Sequence, residues 1–147
     1  MTQLLAHLIG DYLLQSDWMA QNKTKQAWPA LVHALTYSLL FIPLAMRAGA
    51  PQLCWFAIVS THFLIDRYRL ARYVVWAKNF IAPKGSVPAR WNGQEQRSYP
   101  RRNWDWESCK DTGGYAPNTP AFMWIWLMIA ADNTLHLCLN YLALRYL

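Results

Sequence analysis

The chain of 147 residues is one domain by length; it is 54% hydrophobic, with nine tryptophans and eight tyrosines, and carries a formal net charge of +6. Ten of its fourteen basic residues fall between Arg67 and Lys110, so the excess is local; with no recognised reader motif beside it, nucleic acid is set aside as a partner. Cys54, Cys109 and Cys138 stand far apart, which excludes the paired spacing of a zinc knuckle or a dithiol redox motif, and they read as small apolar fillers.

Four mostly apolar segments follow one another and predict an all-α fold, a polytopic membrane four-helix bundle forming a single domain over residues 1–147. A helix crosses the hydrocarbon core with about 20 mostly apolar residues, a condition these segments meet only if their polar residues face inward. Helix one is expected over about 2–21, with His7, Asp11 and Gln15 as its polar stripe, Gly10 permitting a close helix approach and Asp17 facing away. No lysine or arginine precedes Lys23 and Asp11 interrupts the apolar run, so this segment reads as a retained helix rather than a signal peptide. Helix two, about 28–48, starts at Pro29, a favoured first-turn position, and carries His33 with Thr36 and Tyr37 on the same side.

Helix three is expected over about 51–78, running past the apolar part into an arginine-bearing interface, with His62, Asp66 and Arg69 inward. A long polar loop over 79–119, rich in Trp, Arg, Pro and Gly, is expected to be irregular. Its Trp91, Tyr99, Trp104 and Trp106 read first as aromatic anchors at headgroup level, and second as part of a cap touching phosphate or lipid headgroups through Arg97, Arg101 or Arg102. Helix four, about 120–147, carries Asp132, His136 and Asn140 at four-residue intervals, with Asn133 beside them. Lys23 and Lys25 lie in the first connection and the basic block in the third, which share a side in a hairpin array. The positive-inside rule places that side in the cytoplasm of a bacterial inner membrane, with both termini outside.

All four histidines sit in these apolar segments, and three have an aspartate four residues away: His7 with Asp11, His62 with Asp66, Asp132 with His136. Residues four apart on a helix lie about 40° apart around the axis and roughly 6 Å along it, so each pair can act as one two-toothed ligand. Helices one and three place histidine first and helix four places aspartate first, the order an antiparallel bundle needs to align three histidines in one layer and three aspartates in another. An ionised carboxylate costs several kcal/mol to bury uncompensated, and three in one small bundle repel one another. Bound cations resolve that conflict. Protonated imidazoles or a proton pathway offer the metal-free alternative.

His7, Asp11, His33, His62, Asp66, Asp132 and His136 are therefore the expected metal ligands. The donor set suits a divalent transition metal, zinc first, with manganese or iron as alternatives, and seven ligands leave room for two ions. Gln15, Tyr37, Arg69, Asn133 and Asn140 are candidates for supporting the ligands or contacting substrate, with helix packing by hydrogen bonding as the simpler role of each.

The segments His7 to Trp18, the His33 helix, Thr61 to Asp66 and Asp132 to His136 resemble the small phage and bacterial membrane proteins grouped as domain of unknown function 3307. That family implies no assigned activity. More distantly, the helical His/Asp pattern is similar to membrane-bound metal-dependent hydrolases of the SOS-induced type and to the all-helical zinc phospholipase C and nuclease fold, a similarity that implies phosphoester hydrolysis. The expected function is a membrane-embedded metal-dependent hydrolase of a phosphoester in a lipid or lipid-linked substrate, with metal-bound water as nucleophile and Asp11, Asp66 or Asp132 as candidate base. The alternative is a non-enzymatic membrane protein, with a structural metal or a polar His/Asp network, that binds a host membrane protein or a second copy of itself.

Overall fold

The computed structural model describes residues 2–82, 105–117 and 119–147, with the backbone of 86–88 and 98–100. Apart from one short hairpin, every regular element among them is helical. Two compact units are present, one comprising Met1–Ala71 with Ala130–Leu147 and the other Arg72–Ile129.

In the first unit the opening helix is broken. Helix α1 spans Thr2–Leu8, a π-helical turn follows over Ile9–Leu13, and α2 spans Asp17–Asn22. The π turn closes with Leu14 N–H donating to Ile9 O at 3.0 Å, an i to i−5 bond. Such turns insert one residue into a helix and re-aim the side chains they carry, here Asp11. Ser16 then caps α2, accepting from the Met19 N–H.

The second segment, expected as one helix, divides into α3, Ala27–Leu39, and α4, Ile42–Ala45. The reason is Pro43, which has no N–H to donate to Leu39 and whose ring opposes continuation from the preceding turn. Pro51 opens α5, Pro51–Tyr68, where the missing N–H costs nothing. Helix α5 stops ten residues before the expected end at 78. Its stop is Arg69, in the left-handed region at φ 52°, with Leu70 N–H bonded to Ile65 O at 3.0 Å and Arg69 N–H to Asp66 O at 3.3 Å. This is a Schellman closure built on arginine instead of glycine. The turn swings Arg69 out to solvent, away from the inward stripe on which the helical pattern had placed it.

Helix α3 packs against α5 and α2. Tyr37, Phe41, Ala45, Cys54, Ile58, Ala6 and Ala143 form the apolar core of this unit, and Trp55 Nε1 donates to Ser38 O at 3.2 Å. Large apolar side chains line the outside of the same helices: Leu5, Leu13, Trp28, Leu39, Leu53 and Phe56 are all more than half exposed. The polar residues His7, His33, Ser38, His62, Asp66, His136 and Asn140 are buried instead. Polar side chains are thus gathered inside this unit while large apolar ones line its outside.

The second unit holds α6, Ala71–Phe80, from Arg72 onward, the strands β1, Ser86–Pro88, and β2, Ser98–Pro100, paired antiparallel with Val87 opposite Tyr99, then α7, Trp106–Cys109, and a 3-10 turn over Lys110–Thr112. The hairpin corrects the expectation of a wholly irregular loop. Trp106 packs on Tyr73 and Trp76, and the Arg72 guanidinium lies 5.1 Å from its ring centroid. Gly114, at φ 90°, brings its backbone onto α6, where a Cβ would stand 2.5 Å from Arg72 O. Burial pushes the Cys109 thiol above its ordinary range, with Asp105 adding to the shift, as befits a filler and not a nucleophile. Trp91, Arg97, Arg101, Arg102, Trp104 and the Tyr99 side chain lie outside the described residues.

Helix α8, Ala121–Tyr146, is long and apolar enough to cross a membrane, the one such helix among the described residues. Its last part, from Ala130, belongs to the first unit and brings Asp132, Asn133, His136 and Asn140 to that unit.

A Cβ at Gly10 would run into the Tyr37 ring at Cδ2, and that ring is fully buried. Helix propensity alone favours Gly10→Ala by up to about 1 kcal/mol, whereas overpacking costs about 1–3 kcal/mol. We expect Gly10→Ala to lower the thermal midpoint of the detergent-solubilised protein. An unchanged or raised midpoint would show that the π turn and α3 are not in this close contact.

Candidate metal centre

The three His/Asp pairs close as their spacing requires. His7 Nδ1 lies 3.5 Å from Asp11 Oδ2, His62 Nε2 3.1 Å from Asp66 Oδ2, and His136 Nε2 3.6 Å from Asp132 Oδ2. They also meet one another. Asp66 Oδ2 is 3.2 Å from His33 Nε2, and the His33 and His62 Nε2 atoms are 3.0 Å apart. Asp11 Oδ1 stands 3.5 Å from His33 Nε2 and 3.6 Å from His62 Nε2, while Asp66 Oδ1 is 3.7 Å from His136 Nε2. Aspartates and histidines thus interleave instead of remaining in two separate layers.

The His33, His62 and Asp66 atoms form a nearly equilateral triangle with edges of 3.0, 3.1 and 3.2 Å. Ligand atoms about 2.0–2.1 Å from one ion are about 3.3 Å apart in a tetrahedron and about 2.9 Å apart in an octahedron, so this triangle has the dimensions of one face of a coordination shell. Two further groups of three, Asp11 with His62 and His136, and Asp66 with Asp132 and His136, also bring one donor atom each within 4.8 Å of one another. These buried groups can hold a metal ion.

Several polar atoms here have no hydrogen-bond partner among the described residues. Asp11 Oδ1 and His136 Nε2 are buried and unpaired, as are the Nδ1 atoms of His33, His62 and His136. Buried polar atoms are rarely left so, and a cation would satisfy those that face the carboxylates. Ring orientation comes from packing: Tyr37 stacks on His62 with centroids 3.8 Å apart, and His62 lies 4.2 Å from His136.

His7 stands apart from the metal-capable groups because both its nitrogens are already engaged. Its Nδ1 is 2.9 Å from Tyr37 Oη, and its Nε2 is 3.2 Å from Asn133 Oδ1. Asn140 Nδ2 donates to Tyr37 Oη at 2.6 Å, leaving the tyrosine proton for His7 Nδ1 and requiring the His7 Nε2 proton to go to Asn133. This fully satisfied relay holds His7 beside Asp11 and presents Tyr37 to His62. Of the supporting candidates, Tyr37, Asn133 and Asn140 therefore lie in the relay, whereas Arg69 does not reach it.

Gln15 reaches the site by way of a residue the helical spacing does not reveal. Lys23 Nζ donates to Gln15 Oε1 at 2.7 Å and to Asp66 Oδ2 at 3.0 Å. Lys23 follows α2 in a turn, where no periodic pattern marks it. Arg67 pins that turn to α5 by donating to Thr24 O at 2.7 Å. Access is graded: His33, His62 and His136 are closed off, the Lys23 side chain is 19% exposed and that of Asp132 32%.

A family model described as protein of unknown function, DUF3307, matches residues 1–85, more than half of the chain. The chain belongs to the DUF3307 family. No curated protein and no solved structure matches it. The matched span contains the whole His33–His62–Asp66 triangle with Asp11 and Lys23, while Asp132 and His136 lie beyond it.

His33 and His7 divide the site into ligands and supports. After dialysis against zinc, His33→Gln, which removes a ligand atom, is expected to lose bound metal, while His7→Gln, which removes a support, retains more of it with an affinity lowered by about 10–100-fold. The reverse pattern would show that the relay and the triangle have been assigned the wrong roles.

Proposed function

We propose that the protein is a multi-pass bacterial inner-membrane enzyme that uses zinc, as one or two ions, to hydrolyse a phosphoester in a lipid or lipid-linked substrate. The observation that carries this reading is the His33–His62–Asp66 triangle at coordination-shell spacing inside helices whose outer faces are apolar. Buried helices presenting histidine and carboxylate inward are a recurrent way to build such centres. Four membrane passes, the Trp/Arg-rich loop on the cytoplasmic side, and both termini outside belong to the same proposal, supported by the exposed leucines and aromatics and by the basic residues after α2 and α5.

A zinc ion held by His33, His62 and Asp66 would supply a water acidified towards neutrality and an electrophile for the phosphoryl oxygen. The chain's own residues do the remainder. Asp66 offers its two oxygens to different neighbours, Oδ2 to His33 and His62 and Oδ1 to His136, and would hold an ion through the side that faces His33 and His62. Asp132, the most accessible carboxylate of the group, is assigned as general base, taking the water proton as oxygen attacks phosphorus and the bond to the leaving oxygen breaks. The departing oxygen then recovers a proton from the Asp132 carboxyl. The part-exposed Asp132 side chain supports an opening at the edge of the cluster, which a purely structural metal site would lack.

Zinc-loaded full-length protein in mixed micelles should release the phosphorylated product from at least one member of a lipid phosphoester panel, and chelation should stop it. Asp132→Asn is expected to keep the zinc held by the His33–His62–Asp66 triangle and lose about 100-fold in kcat. Inactivity across the panel at full zinc occupancy would contradict the hydrolase reading and leave the metal as a structural staple.

A further inference from the structure

Lys23 is the one ammonium placed in the cluster among the described residues, and the hydrolytic scheme above gives it no part. Its two hydrogen bonds are unequal in what they permit. Gln15 Oε1 is a neutral acceptor with no competing ligand role, whereas Asp66 Oδ2 also faces His33 and His62 Nε2 at 3.2 and 3.1 Å. A divalent ion bound through that oxygen and an ammonium sharing it repel each other. With a divalent ion on that oxygen, the ammonium would keep Gln15 and have donors free for another acceptor nearby.

The surroundings limit where those donors can go. The Lys23 N–H closes the end of α2 on Met19 O at 2.8 Å, and Arg67 holds the next carbonyl, Thr24 O, against α5. The backbone is fixed on both sides of the side chain, which is itself mostly covered. Its ammonium is held at the edge of the cluster by Gln15. A lysine confined beside a metal, with free donors and partial access to the outside, is built to bind an anionic oxygen.

We propose that Lys23 anchors the substrate: steered by Gln15, its ammonium binds a non-bridging phosphoryl oxygen next to the metal, after the metal has displaced it from Asp66. This inference rests on the metal-hydrolase reading and deepens it by naming the group that selects a phosphorylated substrate. It also gives the lysine a second use, as the cation that compensates Asp66 before metal arrives.

The test is binding, not turnover. Zinc-loaded, detergent-purified full-length protein is titrated with inorganic phosphate and, separately, with micelles containing phosphatidic acid, comparing wild type, Lys23→Gln and Lys23→Arg at equal zinc content. We expect Lys23→Gln to retain zinc and to lose phosphoryl affinity by at least about tenfold, the effect of one charge-assisted hydrogen bond, with Lys23→Arg recovering most of it. Lys23-dependent affinity that is greater for phosphatidic acid than for phosphate assigns the oxygen to a lipid headgroup; equal affinities assign it to the phosphoryl group alone. Zinc-loaded Lys23→Gln binding both probes as tightly as wild type overturns the anchoring role and leaves the metal reading standing. Wild-type protein that takes up no zinc overturns both.

Discussion

Burial of the Asp66 carboxylate organises the first unit. One of its oxygens has two imidazole nitrogens and an ammonium within 3.2 Å, and the other faces a third imidazole. A carboxylate taken out of water costs several kcal/mol even after relaxation, so such an environment persists only when positive charge or metal compensates it. Each surrounding element contributes to that compensation: α3 supplies His33, α5 His62, α8 His136, and the turn after α2 supplies Lys23. The same elements turn leucine, tryptophan and phenylalanine outward, so the buried polar groups lie on the inner faces of helices whose outer faces are apolar.

Helix class and the closing of the three His/Asp pairs are legible in the sequence because both depend on a four-residue repeat within apolar runs, whereas His33, which has no aspartate at that spacing, joins Asp11, His62 and Asp66 through tertiary packing. Helix limits are less so. Pro43 interrupts the second apolar run without interrupting its hydrophobicity, and the stop at Arg69 has no glycine to announce it. Those two breaks matter differently for function. The first leaves His33 and Tyr37 on one continuous helix, while the second removes Arg69 from the site and leaves Arg67 to hold the Lys23 turn.

The division between ligand and support was also hidden, since His7 and His62 share the same spacing to an aspartate. Only their other neighbours separate them. Tyr37 and Asn133 take both nitrogens of His7, whereas His62 Nε2 faces His33 and Asp66. Lys23 lay beyond periodic reasoning altogether, because a turn residue reaches its partner through a tertiary approach that no repeat encodes. Its neighbourhood was read as a topological charge, and the geometry gives it a chemical setting as well.

The central claim is that the buried His/Asp cluster is a metal centre. X-ray absorption at the zinc edge, on full-length protein purified in detergent and dialysed against zinc, addresses it directly. The account predicts bound zinc with nitrogen and oxygen neighbours at about 2.0–2.1 Å and the outer-shell scattering of at least two imidazoles. Folded protein that retains no zinc, or zinc whose spectrum lacks imidazole scattering, would contradict it.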